Sequence, residues 1–254
     1  IKGDIAAIQQ VEMVDQNPIG KSSRSNPVTY IKAWDDVRDL YSKQPLSKMR
    51  GYQPKHFSFN VDGGRCDACK GEGEQVVEMQ FLADVHLTCE VCGGKRFKEE
   101  VLEVTYKEKN IYDVLEMSVD DAIDFFYDEP GVANKIKPLS NVGLGYVKLG
   151  QSSDTLSGGE AQRVKLASFL GKGKAQGSIL FIFDEPTTGL HFHDIKKLLA
   201  SFNALIEQGH SIIVIEHNTD VIKSADWIIE LGPGAGDGGG SLVFAGKPAG
   251  LKNC

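Results

Sequence analysis

"ILFIFDEPTTGL", residues 179–190, runs through five apolar positions into two adjacent acids and a turn that begins with proline. A continuous apolar run of this length suits a parallel strand buried between helices. Such a strand delivers Asp184 and Glu185 to its C-terminal edge, where α/β sheets bind their ligands. Upstream, "LSGGEAQRVKLA" (156–167) opens a helix near Ser157. Downstream, "DIKKLLASFNALIEQG" reads as an amphipathic helix ended by Gly209, and "HSIIVIEH" as a second buried strand. "NTDVIKSA" then reads as a short helix and "DWIIELG" as a third strand. Alternation of this kind implies right-handed crossovers and a mainly parallel sheet, so the expected class is α/β.

The chemistry at that strand edge follows from the residue types. Asp184 can hold Mg²⁺ through water, and Glu185 can polarise an attacking water. Two acids at a strand end are also a common solvated feature. Here they are followed by "TTGL" and preceded, a helix length earlier, by "LSGGE". "VIEH" ends the next strand and places His217 to reach a γ-phosphate. "HFHD" at 191–194 suggests a metal pair, but its spacing at a helix entry is poor for ligation from one face. "GPGAGDGGG" at 232–240 precedes a strand rather than a helix and reads as a strand–strand loop, not a phosphate cradle. "NPIGKSSRS" contains Gly20, Lys21 and Ser22, the last letters of a phosphate-binding P-loop. That motif needs a glycine at position 15, which is Asp, so no P-loop is expected there.

The cysteines carry the strongest single signal. "CDACKGEGEQVVEMQFLADVHLTCEVCGGKRF" holds two C-x2-C pairs, Cys66 with Cys69 and Cys89 with Cys92, separated by nineteen residues. Each pair aims two thiolates at one ion, and together they make a closed tetrahedral zinc site with no open position, hence a structural one. Gly71, Gly73, Gly93 and Gly94 follow the pairs and permit the backbone conformations required. The fifth cysteine is the terminal Cys254. A disulfide framework would spread its cysteines and accompany a secretory signal, so this usage points to a reducing, cytoplasmic compartment.

The remainder is ordinary for a globular chain of 254 residues, with 41% hydrophobic and 25% charged positions. Net charge is −7, made of +3 in residues 1–60 and −10 beyond, which gives nucleic-acid binding no support by itself. No apolar run approaches a membrane-spanning length, no signal peptide is visible, and the absence of an initiator Met is expected of a truncated or processed chain. "IQQVEMVD" reads as a strand, "YIKAWDDVRDLYSK" as one helix through Ile31, Trp34, Val37, Leu40 and Tyr41, and "EVLEVTYKEKNIYDVL" as a strand turning into a helix. "SVDDAIDFFYD" reads as a helix capped by Ser118.

These segments together resemble the UvrA family, the damage-sensing component of the bacterial excinuclease of nucleotide excision repair. The resemblance is carried by "DQNPIGKSSRSNPVTY", "RGYQPKHFSFNVDGGRCDACKGEG", "FLADVHLTCEVCGGKRF", "GLGYVKLGQSSDTLSGGEAQRVKLA", "FIFDEPTTGLHFHDIKKLL" and "IIVIEHNTDVIKSADWIIELGPGAGDGGG". It covers nearly the whole chain. The family is similar to two ATP-binding cassettes (ABC) fused in tandem, and this chain looks like most of the second. The resemblance implies an ABC-type ATPase core with an inserted α+β signature domain carrying the zinc module. Residues 1–22 would belong to the ATP-binding core with Gln16 at the Q-loop, 23–148 to the insert with its zinc module at about 57–100, and 149–254 to the core again. It further implies that Leu156, Ser157, Gly158, Gly159 and Glu160 contact ATP across an interface, that Asp184 supports Mg²⁺, that Glu185 activates water and that His217 senses the γ-phosphate. Double-stranded damaged DNA, the excinuclease component UvrB and a second copy joined through the nucleotide domains are the implied partners.

One departure stands out: the family's second cassette has a P-loop upstream of the segment matched here. The simplest expectation is a fragment that binds ATP weakly or not at all alone, since the backbone cradle and lysine for the phosphates are missing. A transporter-type ATPase would share the signature and the acidic strand, but would not be expected to place a four-cysteine lobe between Gln16 and Leu156. For the isolated chain, a non-catalytic zinc-containing DNA- or protein-binding module is the competing expectation.

Overall fold

The computed structural model describes residues 7–20, 22, 24–77, 85–171, 177–234 and 236–253. They divide into two compact units, Ile1–Asp15 with Lys174–Cys254, and Gln16–Gly173. The Lys21 of the P-loop-like "GKS" and the terminal Cys254 lie outside the described residues.

The first unit is organised by a three-stranded parallel sheet in the order Ile8–Val14, Ser178–Asp184, Ser211–Ile215. The acidic strand is therefore the middle one. Side chains of a strand alternate between faces, and here Phe181 and Phe183 are buried while their neighbours Leu180 and Ile182 are half-buried. Phe183 lies 4.7 Å from the ring of Phe202 on the helix Phe192–Glu207, whose Ile195, Leu198 and Leu205 are also buried. His210 is core as well: its Nδ1 accepts the Ile179 N–H at 3.2 Å, and its ring meets Phe181 edge-on at 5.4 Å.

Two expectations for this unit change. "HSIIVIEH" is not buried on both faces, because Ile213 and Ile215 are about half exposed, as are Val11 and Met13 on the other edge strand. Among the described residues the helix Phe192–Glu207 covers one face only. "DWIIELG" does not join the parallel sheet; Ile228–Leu231 pairs antiparallel with Leu242–Gly246. Among the described residues no α-helix separates these two strands, and a parallel neighbour needs a crossover.

The second unit is mainly helical around a core that includes Val28, Trp34, Val37, Phe57, Phe59, Phe97, Ile111, Leu115, Phe126, Ile136 and Leu139. The helix expected across Tyr30–Lys43 is two. Asn26 caps Pro27–Tyr30 through a capping box with Thr29. Lys32 then adopts φ +59°, and a second helix runs Trp34–Ser42. A non-glycine residue in the left-handed region stops an α-helix, which is why periodicity alone overran the break. Glu99–Leu102 is helical rather than extended: Val101 and Val104, three apart, are the buried pair. The strands of that segment are the two-residue pieces Thr105–Tyr106 and Lys109–Asn110 around a tight turn. Ser118 does cap Val119–Phe125, accepting the Asp121 N–H at 3.1 Å.

Tyr41 ties this unit together. It is fully buried, packs 5.8 Å from Phe57, and its hydroxyl donates to the carbonyl of Lys109 at 2.7 Å across 68 residues of chain. Tyr41→Phe keeps the packing and removes that one bond, so a loss of about 1 kcal/mol is expected. Urea unfolding should show a lower midpoint with an unchanged slope. An unchanged midpoint would mean that water replaces the phenol at no cost.

Candidate functional site

The cysteine cluster is built by two knuckles held together through their backbones. Cys66 N–H donates to Arg96 O at 2.8 Å, Cys89 N–H to Gly73 O at 3.0 Å, and Lys98 N–H to Gly64 O at 2.9 Å. Gly73 sits at φ +82°, and a side-chain carbon there would lie 2.8 Å from the carbonyl oxygen of Gly94. No residue but glycine fits that approach, and the Gly73 N–H also donates to Cys69 Sγ at 3.3 Å.

The four sulfurs of Cys66, Cys69, Cys89 and Cys92 all lie within 4.8 Å of one another. Cys66 and Cys89 are separated by 4.0 Å, and Cys69 and Cys92 by 3.7 Å. A tetrahedral metal with bonds of about 2.3 Å to sulfur has edges near ~3.8 Å, so the donor set fits one ion without rearrangement. The chemistry of the thiols agrees. Burial, and then the neighbouring Cys69 and Cys89 sulfurs, push the Cys92 thiol up to about 12. Burial acts on Cys89 too, but N–H groups of Cys92 and Val91 outweigh it and bring that thiol down to about 7. Four thiolates cannot share this volume without a cation. The cluster is positioned to hold a metal ion.

In the same unit, Ser157 caps the helix Gly158–Leu170. Its N–H and its hydroxyl both donate to Glu160 Oε2, at 2.8 and 2.9 Å, and its oxygen accepts the Glu160 N–H at 3.3 Å. This is the reciprocal arrangement that S-x-x-E sequences form at helix starts. Glu160 Oε1 accepts the hydroxyl of Tyr146 at 2.6 Å. Burial raises the Glu160 carboxyl, but the bonds from Tyr146 and Ser157 prevail and hold it below its ordinary range. Gln16 packs on this helix start. A methyl group added to Gly158 would sit 2.9 Å from Gln16 Oε1 and 3.0 Å from its Cβ. The structure thus brings Gln16, Ser157, Gly158 and Glu160 together, with Leu156 extended just before them and Gly159 buried in the first turn.

In the sheet unit, the middle strand ends at Asp184 and the chain turns sharply at Glu185, whose φ is +44°. Both acids are exposed, while Pro186 is buried. His217 follows the neighbouring strand and places Nε2 3.7 Å from Glu185 Oε1. Asp184, Glu185 and His217 therefore share one sheet edge, at the C-terminal ends of parallel strands.

Glu216, to which the sequence assigns no role, organises this edge. Its Oε1 accepts the Thr187 N–H at 2.8 Å, and its Oε2 accepts the N–H groups of His217 and Asn218 at 2.8 and 2.9 Å. Burial raises its carboxyl, but the bond from the Thr187 side chain and those from the three N–H groups prevail and hold it below its ordinary value. The stabilisation is complete at neutral pH and is lost as the pH falls through that depressed value. The only sequence trace of this was an acid in "VIEH" at the end of an otherwise apolar strand.

No protein-family model matches the chain. Individual relatives do. UvrABC system protein A of Aquifex aeolicus is 57% identical over 241 residues, 95% of this chain and 26% of that protein. The protein of the same name from Thermus thermophilus is 54% identical over 95% of this chain and 25% of its own length. The crystal structure of UvrA2 from Deinococcus radiodurans superposes with a TM-score of 0.91 at 48% identity, covering 98% of this chain and 30% of that one. Over 95% of its length the chain is similar in sequence to these UvrA proteins. It spans about a quarter of the length of the curated UvrA relatives it matches. The UvrA structure confirms the α/β class with its parallel sheet.

Proposed function

We propose that this chain is the signature-and-hydrolysis part of a UvrA-type ATPase that recognises DNA damage in nucleotide excision repair. In this reading ATP binding and hydrolysis control DNA binding, damage discrimination and loading of the excinuclease component UvrB. The observation that carries it is the shared strand edge, where Asp184 and Glu185 stand beside His217, whose Nε2 is 3.7 Å from Glu185. Asp184 supports Mg²⁺ through water, Glu185 accepts a proton from the attacking water, and His217 faces the γ-phosphate. Gln16 and the Leu156–Glu160 segment contact nucleotide, the latter across an interface with a second cassette. The cysteine cluster holds zinc, closed and structural. Residues 23–148 form the inserted signature domain, flanked by core segments 1–22 and 149–254. Damaged double-stranded DNA, UvrB and a second copy are the partners, and the compartment is the cytoplasm. Among the described residues no helix is long and apolar enough to cross a membrane.

The test is ATP binding and turnover, by this chain alone and by the full-length protein, each with Glu185→Gln alongside. The chain alone should show neither activity. The full-length protein should hydrolyse ATP and lose at least a tenfold factor on Glu185→Gln while still binding nucleotide. Turnover by the chain alone that disappears with Glu185→Gln would overturn the division of labour and return attention to Gly20–Ser22. A second reading for the isolated chain, a zinc-containing DNA-binding module, is favoured by the completeness of the cysteine lobe. It predicts a salt-dependent DNA shift without ATP.

A further inference from the structure

The turn at Glu185 is held from outside. A glutamate at φ +44° lies in the left-handed region, which strains a non-glycine residue, and such a conformation persists only where its surroundings over-determine it. Two ties from the neighbouring strand supply that constraint. The Glu185 N–H donates to the carbonyl of Ile215 at 2.9 Å, which fixes the start of the turn. Two residues on, the Thr187 N–H donates to Glu216 Oε1 at 2.8 Å, which fixes its far side. The second oxygen of the same carboxylate takes the N–H groups of His217 and Asn218. Asn218 Oδ1 in turn caps the helix Thr219–Ser224 by accepting the Asp220 N–H at 2.9 Å. One carboxylate therefore joins the turn after Glu185, the backbone of His217 and the entry of the next helix.

We propose that Glu216 is a positioning residue that fixes Glu185 and His217 relative to each other for hydrolysis. The proposal rests on the functional reading above. It explains why an acid stands at the end of this strand. Two acceptor oxygens aimed at different loops are needed. An amide offers one oxygen and turns an NH₂ group toward a backbone donor. An aspartate, one methylene shorter, cannot span both loops. Glu216 touches neither substrate nor reacting water in this scheme; it acts through the backbone on the two residues that do.

The test uses the full-length protein with Glu216→Gln, Glu216→Asp and Glu216→Ala, and reads kcat and KM for ATP separately. The expected result is a kcat at least tenfold lower for Glu216→Ala, a smaller drop for Glu216→Gln, and a KM within about threefold of wild type. Bound metal should stay near the parent value, and any fall in thermal midpoint should come without a matching loss of nucleotide affinity. Unchanged kcat in Glu216→Ala would overturn the proposal. So would parallel losses of kcat, nucleotide affinity and thermal midpoint, which mark a merely structural group. Should the parent protein show no turnover sensitive to Glu185→Gln, the functional reading fails by itself. Amide hydrogen exchange then decides the tie: Thr187 and His217 must both lose protection in Glu216→Ala, and unchanged protection at either overturns it.

Discussion

Removing the metal from the cysteine cluster is expected to unfold the lobe built on it and leave the parallel sheet folded. Among the described residues, the sheet of this lobe is two-stranded. Its hairpin, Glu74–Val77 paired with Val85–Thr88, exposes Val76, Val77, Val85 and Leu87, and an isolated two-stranded hairpin is marginal in water. The knuckles converge on four sulfurs with separations as short as 3.7 Å, and three of those cysteines are buried. Structural zinc contributes apparent binding energies of about 10–16 kcal/mol in small zinc domains at neutral pH, far more than a few backbone bonds can replace. Purified chain should carry close to one zinc, and Cys89→Ser should abolish its retention. Limited proteolysis of the variant should then cut within 57–100, while amides of Ser178–Asp184 stay protected from exchange. A metal-free chain with the parent cleavage pattern would show that Phe59 and Phe97, 6.3 Å apart, suffice to hold the lobe.

What could be read from the sequence depended on how far apart the interacting residues lie. The four-cysteine cluster was legible because each knuckle is four residues long and is followed by glycines. The helix start at Ser157 was legible because its cap is satisfied three residues away, by Glu160. The acidic strand was legible from five apolar residues in a row ending at two acids, and it is the middle strand of the sheet. The misreadings share a different cause. The break at Lys32 depends on one positive φ that its side chain does not announce. The antiparallel pairing of Ile228–Leu231 depends on which strand it meets, and apolar content is the same for either partner. Glu216 is the clearest case. Its main partner, Thr187, is 29 residues away, and no local pattern connects the two. Motifs name the residues that do chemistry; the groups that hold them in place are found through tertiary hydrogen bonds.

The sheet makes the second large effect predictable, because its two faces are so unequally covered. Phe183 pairs in register with Val14 on one side and Val214 on the other, and is 1% exposed. Its ring stands 4.7 Å from Phe202 and 6.2 Å from Phe181, so it joins the strand to the helix that covers this face. Phe183→Ala leaves a cavity between strand and helix that neither backbone can close, at a cost of about 3–5 kcal/mol. Domains of this size have only about 5–15 kcal/mol of stability in total. The loss should therefore show as faster amide exchange along Ser178–Asp184 and a lower urea midpoint. Ile213 provides the control. It lies on the opposite face, 49% exposed, and in this chain Ile213→Thr should move the midpoint by less than about 0.5 kcal/mol equivalent. Equal effects at the two positions would mean that the face carrying Ile213 is covered after all. Phe183 also directly precedes Asp184 and Glu185, so the same cavity should loosen the edge that carries Asp184, Glu185 and His217. A Phe183→Ala protein that kept its exchange protection would show instead that the ties from Ile215 and Glu216 hold that edge without the core beneath it.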